Sequence, residues 1–112
     1  SSRLSAEAQQ KLSDFVEELQ DLPSGLDFQL VIAGHCALYG TETGREELSY
    51  DRARQVAAYI KNSGWEFTHG PVIKGLGGQN PVTKDSEKQY LNRRVEISTI
   101  HPDNDTASRQ DQ

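Results

Sequence analysis

The segment that most restricts the fold is Phe28 to Ala33 (FQLVIA), a short run of β-branched and aromatic residues that breaks abruptly into Gly34-His35-Cys36-Ala37. Phe28, Leu30 and Ile32 share a face at period two, so the run reads as a buried strand entered from the turn signal Leu22-Pro23-Ser24-Gly25. The next strand candidate is Pro71 to Gly75 (PVIKG), and the connection between the two is long enough to contain a crossover helix. The pattern of that helix is visible. Ser49 is a candidate N-cap, Ala53, Val56, Ala57 and Ile60 repeat at three and four, and Gly64 closes the pattern. The intervening residues 34–47 hold three glycines and show no periodicity, which predicts a loop.

Upstream, Ser5 is a plausible N-cap and Leu12, Phe15, Val16 and Leu19 fall on one face, which predicts an amphipathic helix over 6–22. Downstream, GLGGQNP reads as a turn-rich loop and Arg93 to Ile100 (RRVEISTI) as a last strand, with Val95 and Ile97 facing one way. Helix, strand, helix, strand, strand within 112 residues predicts one α+β domain, two helices packed on one face of a small mixed sheet. The domain is expected to occupy 1–100, and the polar segment 101–112, which has no apolar anchor, to be a disordered tail. The chain opens inside a Ser/Ala-rich helix start with neither signal peptide nor anchor, as an excised fragment would. Membrane association is therefore expected only through segments outside it.

A formal net charge of -5 argues against a nucleic-acid partner, which would call for a basic stripe. A mean hydropathy of -0.74 describes a well-solvated domain. No apolar run approaches the roughly 20 residues of a membrane span. One cysteine cannot form an internal disulfide and leaves the compartment open.

Candidate chemistry is sparse. His35 and Cys36 are adjacent and His69 and His101 lie elsewhere, but neighbours on an extended segment point to opposite sides, and structural zinc wants four nitrogen or sulfur ligands, usually in close-spaced pairs. Asp103-Asn104-Asp105 lacks the glycine and distal glutamate of a calcium loop. Neither a metal nor a cofactor is expected. A Cys-His nucleophile needs an oriented base, which adjacency does not supply, so Cys36 reads as a small filler at a strand end. Gly75-Leu76-Gly77-Gly78 has no Lys-Ser/Thr and reads as a turn rather than a phosphate cradle.

Arg52 is more informative. With Ser49 as N-cap it falls in the first helical turn, where a cation opposes the helix dipole. Surface pairing with Asp51, Glu46 or Glu47 would explain it, at about 0 to 1 kcal/mol. An anion site would explain it too, because a guanidinium beside free backbone N–H groups is suited to grip a carboxylate. On that reading the loop 34–47 and Arg52 share one pocket.

Gly34-His35, Gly40, LSYDRARQVAAYI at 48–60, GLGGQNPV at 75–82 and NRRVEIS at 92–98 together resemble the OmpA-like C-terminal domain, the peptidoglycan-binding module of OmpA, Pal and the MotB stator proteins. The resemblance covers nearly all of residues 4–100. It implies a β-α-β-α-β-β sandwich whose first strand would precede Ser1. It also implies a noncatalytic periplasmic module that holds diaminopimelate of the peptidoglycan stem peptide between the Asp of G-H-T-D and the Arg of L-S-x-x-R-A. That arginine is Arg52. Where the family has Thr-Asp this chain has Cys36-Ala37, and where an Asn often stands shortly before L-S it has Arg45. Loss of the ammonium-binding acid should weaken that contact by about ten- to a hundredfold. The departures leave three alternative outcomes: weaker stem binding, a shift towards an anionic or amidated stem feature, or a retired site on a surviving scaffold. The expected ligand-binding residues are Arg52, Ala37, Leu38, Arg45 and Asn92, with His35, Ser49, Arg93 and Arg94 as structural support. Consecutive strand residues face opposite ways, so at most one of Arg93 and Arg94 can face the pocket. The rival function is a protein-interaction scaffold or homodimerisation domain that has lost the wall ligand. A cysteine hydrolase built on His35-Cys36 is the distant third.

Overall fold

The computed structural model describes residues 4–23, 27–38, 40–79, 81–88 and 93–101. The elements run α1 (Ala6–Gln20), β1 (Gln29–Gly34), α2 (Glu42–Asn62), β2 (Val72–Gly75) and β3 (Val95–Ile100). The three strands form one mixed sheet in the order β2-β1-β3, with β1 parallel to β2 and antiparallel to β3. This is the expected α+β arrangement of two helices on a small sheet. Among the described residues no strand precedes α1.

α1 starts as its sequence requires. Ser5 Oγ accepts a hydrogen bond from Ala8 N at 3.0 Å, satisfying one of the orphan donors of the first turn. Its apolar face, Leu12, Val16 and Leu19, meets Leu30 and Ile32 of β1 and Ala53, Val56, Ala57 and Ile60 of α2 in a single core. Val95, Ile97 and Ile73 pack against that core from the two outer strands. Ser13 and Tyr59 share a hydrogen bond of 2.8 Å between the helices. Phe28 stacks on Trp65 with ring centroids 6.1 Å apart, closing the end of the sheet where β1 begins. No helix among the described residues is long and apolar enough to cross a membrane.

α2 corrects the sequence reading. It begins at Glu42, with Thr41 as N-cap accepting from Gly44 N at 3.0 Å, so Ser49 is not a cap but lies inside the helix. The early turns escaped detection because what packs there is helix backbone. Gly34 and Gly75 are register partners on β1 and β2. A Cβ at Gly34 would lie 1.9 Å from Ser49 O, and one at Gly75 would lie 2.5 Å from Glu46 O. The paired glycines form a trough in which residues 46–50 of α2 rest, and contact made by backbone leaves no apolar periodicity to read.

The predicted tail begins at His101, whose ring Nδ1 lies 3.1 Å from Asp27 O. Residues 102–112, which include Asp103-Asn104-Asp105, lie outside the described residues.

Candidate functional site

Beyond the end of β1 the chain continues as a strap fastened on both sides. His35 N donates to Arg94 O at 2.7 Å, and Cys36 N donates to Gly77 O at 3.0 Å. These bonds prolong the β1–β3 and β1–β2 ladders past the last strand residues and present Cys36 and Ala37 at the N-terminal half of α2. Ser49, fully buried, fastens the second side again: its hydroxyl donates to Glu46 O at 2.9 Å and accepts from Gly77 N at 2.8 Å. Gly77 turns the chain there with φ +56, a conformation that favours glycine.

Strap and helix enclose a cleft of about 560 Å³ lined by Cys36, Ala37, Gly40, Thr41, Gly44, Arg45, Leu48, Arg52 and Arg93. Arg45, Leu48 and Arg52 stand at helical spacing on one face of α2. Arg52 Nη1 donates to His35 O at 2.9 Å and Arg45 Nη1 to Gly40 O at 2.7 Å, so each guanidinium is oriented by a carbonyl of the strap. Of the acids considered as surface partners for Arg52, Asp51 faces Arg54 at 3.1 Å. Burial holds the Arg52 guanidinium below its ordinary value; the adjacent Cys36 opposes this, while like-charged Arg93 adds to it. Burial likewise pushes the Cys36 thiol up, against the pull of Arg52, Arg45 and Arg93. The thiol is therefore neutral, and its Sγ donates to Arg45 O at 3.4 Å.

The helix-dipole argument for Arg52 fails with the cap it assumed, since Arg52 lies well beyond the first turn of α2. What places it in the cleft is its alignment with Arg45 and Leu48. Sequence reasoning missed Thr41, Gly44 and Leu48 as lining residues for the same reason. The available signal was Thr41 followed by acidic Glu42 in a first turn, a cap pattern masked by the glycine at 44. Arg93 and Arg94 precede β3. Only Arg93 lines the cleft, while Arg94 Nη2 reaches Glu96 Oε1 at 3.4 Å. His35 is 2 % exposed, and its Nε2 lies 2.6 Å from Glu96 Oε1. Neither ring nitrogen has a well-directed hydrogen bond among the described residues. Leu38 follows the strap without lining the cleft, and Asn92 lies outside the described residues.

The histidines considered for metal do not converge. His69 and His101 both meet Asp27 at the far end of the sheet from His35 and Cys36. Among the described residues no group of three or more His, Cys, Asp or Glu side chains could hold a metal ion.

Solved structures share this fold. The C-terminal domain of Helicobacter pylori MotB superposes with a TM-score of 0.77 at 20% identity, covering 96% of this chain and 83% of that one. The peptidoglycan-associated lipoprotein of Burkholderia pseudomallei gives 0.74 at 22% identity, covering 89% and 83%. The OmpA-like domain of FopA1 from Francisella tularensis gives 0.73 at 22% identity, covering 89% and 64%. No curated protein matches the chain in sequence. The OmpA family model matches residues 1–94, and the chain belongs to the OmpA family.

Proposed function

We propose that this domain is a noncatalytic periplasmic module that binds the peptide stem of peptidoglycan and anchors a membrane-associated assembly to the cell wall. The observation that carries the reading is Arg52, half-buried and oriented by the His35 carbonyl in a cleft open to a ligand. A guanidinium held in such a cleft suits a carboxylate through charge-assisted hydrogen bonds, and the carboxylate of diaminopimelate is the expected partner. The likeness to a peptidoglycan-associated lipoprotein and to the periplasmic domain of MotB supports the same placement. Ala37 lines the cleft with a methyl group where the family pattern has the ammonium-binding acid, so stem binding is weaker than in a module carrying both.

Co-sedimentation with purified sacculi tests this. Arg52→Ala should reduce the bound fraction by the equivalent of about tenfold in affinity, and Ala37→Asp should raise it, since a charge-assisted contact is restored. Sedimentation that is indifferent to Arg52→Ala would reject wall binding through this cleft and leave the protein-interaction or dimerisation scaffold as the reading.

A further inference from the structure

The cleft gathers cations in a chain that is otherwise acidic. Lysine and arginine number 12 against 17 aspartates and glutamates, yet the lining contains Arg45, Arg52 and Arg93 and, among the described residues, no carboxylate. Three of the four acids of α2 are turned elsewhere: Asp51 pairs with Arg54, and Glu46 and Glu47 line a separate hollow with Tyr50 and Gly75. All three arginines act on the Cys36 thiol, which places their charges around one point.

The acceptors that face the arginines are neutral oxygens, each already taking one hydrogen bond. An ammonium group offers donors only, as guanidinium does, so it needs oxygen atoms to receive it. The strap carbonyls that face the arginines, His35 O and Gly40 O, already accept from Arg52 and Arg45. The Thr41 hydroxyl accepts from Gly44 N as the helix cap, and Cys36, held neutral, donates its own proton to Arg45 O. Ala37 contributes a methyl group. A cationic ligand end would meet like charge, whereas each added carboxylate relieves the repulsion between guanidinium groups that are already positioned.

We propose that the cleft is a two-carboxylate site: it selects a ligand that presents two carboxylates to Arg45, Arg52 and Arg93, and it penalises an ammonium group beside them. Where the proposed wall-binding reading holds, on which the choice of polymer rests, the preferred stem feature is one with two free carboxylates and a masked or distant amine.

Titration calorimetry with two small probes tests the proposal: pimelate, a plain dicarboxylate, and meso-diaminopimelate, which has the same carbon chain with two ammonium groups. Pimelate should bind the wild-type protein about tenfold more tightly, and Ala37→Asp should reverse the order. Arg93→Gln, at an exposed position, and Arg45→Gln should each weaken pimelate by about fivefold. Circular dichroism confirms that the variants are folded. Tighter binding of meso-diaminopimelate, no pimelate binding at millimolar concentration, or pimelate affinity unmoved by both glutamine variants would overturn the proposal. Sacculus sedimentation on the same samples separates the two readings. Pimelate binding without sacculus binding rejects the wall reading alone, and sacculus binding with meso-diaminopimelate preferred rejects the two-carboxylate site alone.

Discussion

Ser49 shows how one small polar side chain can matter more than its propensity suggests. Serine in a helix interior is less favourable than alanine by a few tenths of a kcal/mol. Here its hydroxyl is the acceptor for Gly77 N–H in a fully buried setting. Removing it leaves a buried amide unsatisfied, at about 1–3 kcal/mol. The second effect is larger, so Ser49→Ala should destabilise the domain despite improving the local helix former. The check is a lower urea midpoint at unchanged m-value; a midpoint equal to or above wild type would contradict this role. At the same scale, Arg52 was found for a reason the structure removes. The sequence marked it as a cation at a helix start, but it lies deep in α2, and what fixes it is the carbonyl of His35. A carbonyl seventeen positions away in the chain leaves no trace in local sequence. The carbonyl's carrier was visible only through the family pattern.

The elements divide by how their contacts are made. α1, β1 and the C-terminal half of α2 were legible because side chains do the packing: Leu12, Val16, Leu19, Leu30, Ile32, Val56 and Ile60 recur at the periods of their elements and form the core. The N-terminal half of α2 was not, because its backbone sits on Gly34 and Gly75 and its outward residues are charged. This gives a graded expectation for glycine substitutions. A methyl at Gly34 meets the Ser49 carbonyl, which cannot move without lifting α2 from the sheet. A methyl at Gly78 meets Leu38 Cδ2 at 2.6 Å and Arg45 Nε at 3.0 Å, the mobile parts of long side chains. Gly34→Ala should therefore cost at least about 3 kcal/mol or prevent folding, and Gly78→Ala about 1 kcal/mol or less. Thermal unfolding of the pair measures the difference, and equal losses would mean that the helix is not seated on the glycine trough. Gly78→Ala should still disturb ligand binding, because the side chain it displaces is Arg45.

At the scale of the whole molecule the site and the aromatic closure occupy opposite ends of β1. Cys36 lies two residues past the last residue of that strand and Phe28, stacked on Trp65, precedes the first, a separation of about 26 Å for extended chain. One core runs between them, with Leu30 and Ile32 at its centre and α1 and α2 covering it. A cleft held only by surface loops would open before the core melts. This one is fastened by the bonds from His35 N to Arg94 O, Cys36 N to Gly77 O and Gly77 N to Ser49 Oγ, each of which continues the sheet or joins it to α2. The two ends should then unfold together, as expected of a small domain with a single core. Trp65 is the sole tryptophan and Cys36 the sole cysteine, so each end carries its own reporter. The thiol is 2 % exposed and burial raises its pKa, which leaves it protonated and shielded at neutral pH, so it should react with a thiol reagent only in unfolded molecules. Urea titrations followed by Trp65 fluorescence and by Cys36 labelling should give one midpoint. Labelling that begins well below the fluorescence transition would show that the cleft opens locally, and ligand affinity would then include the cost of closing it.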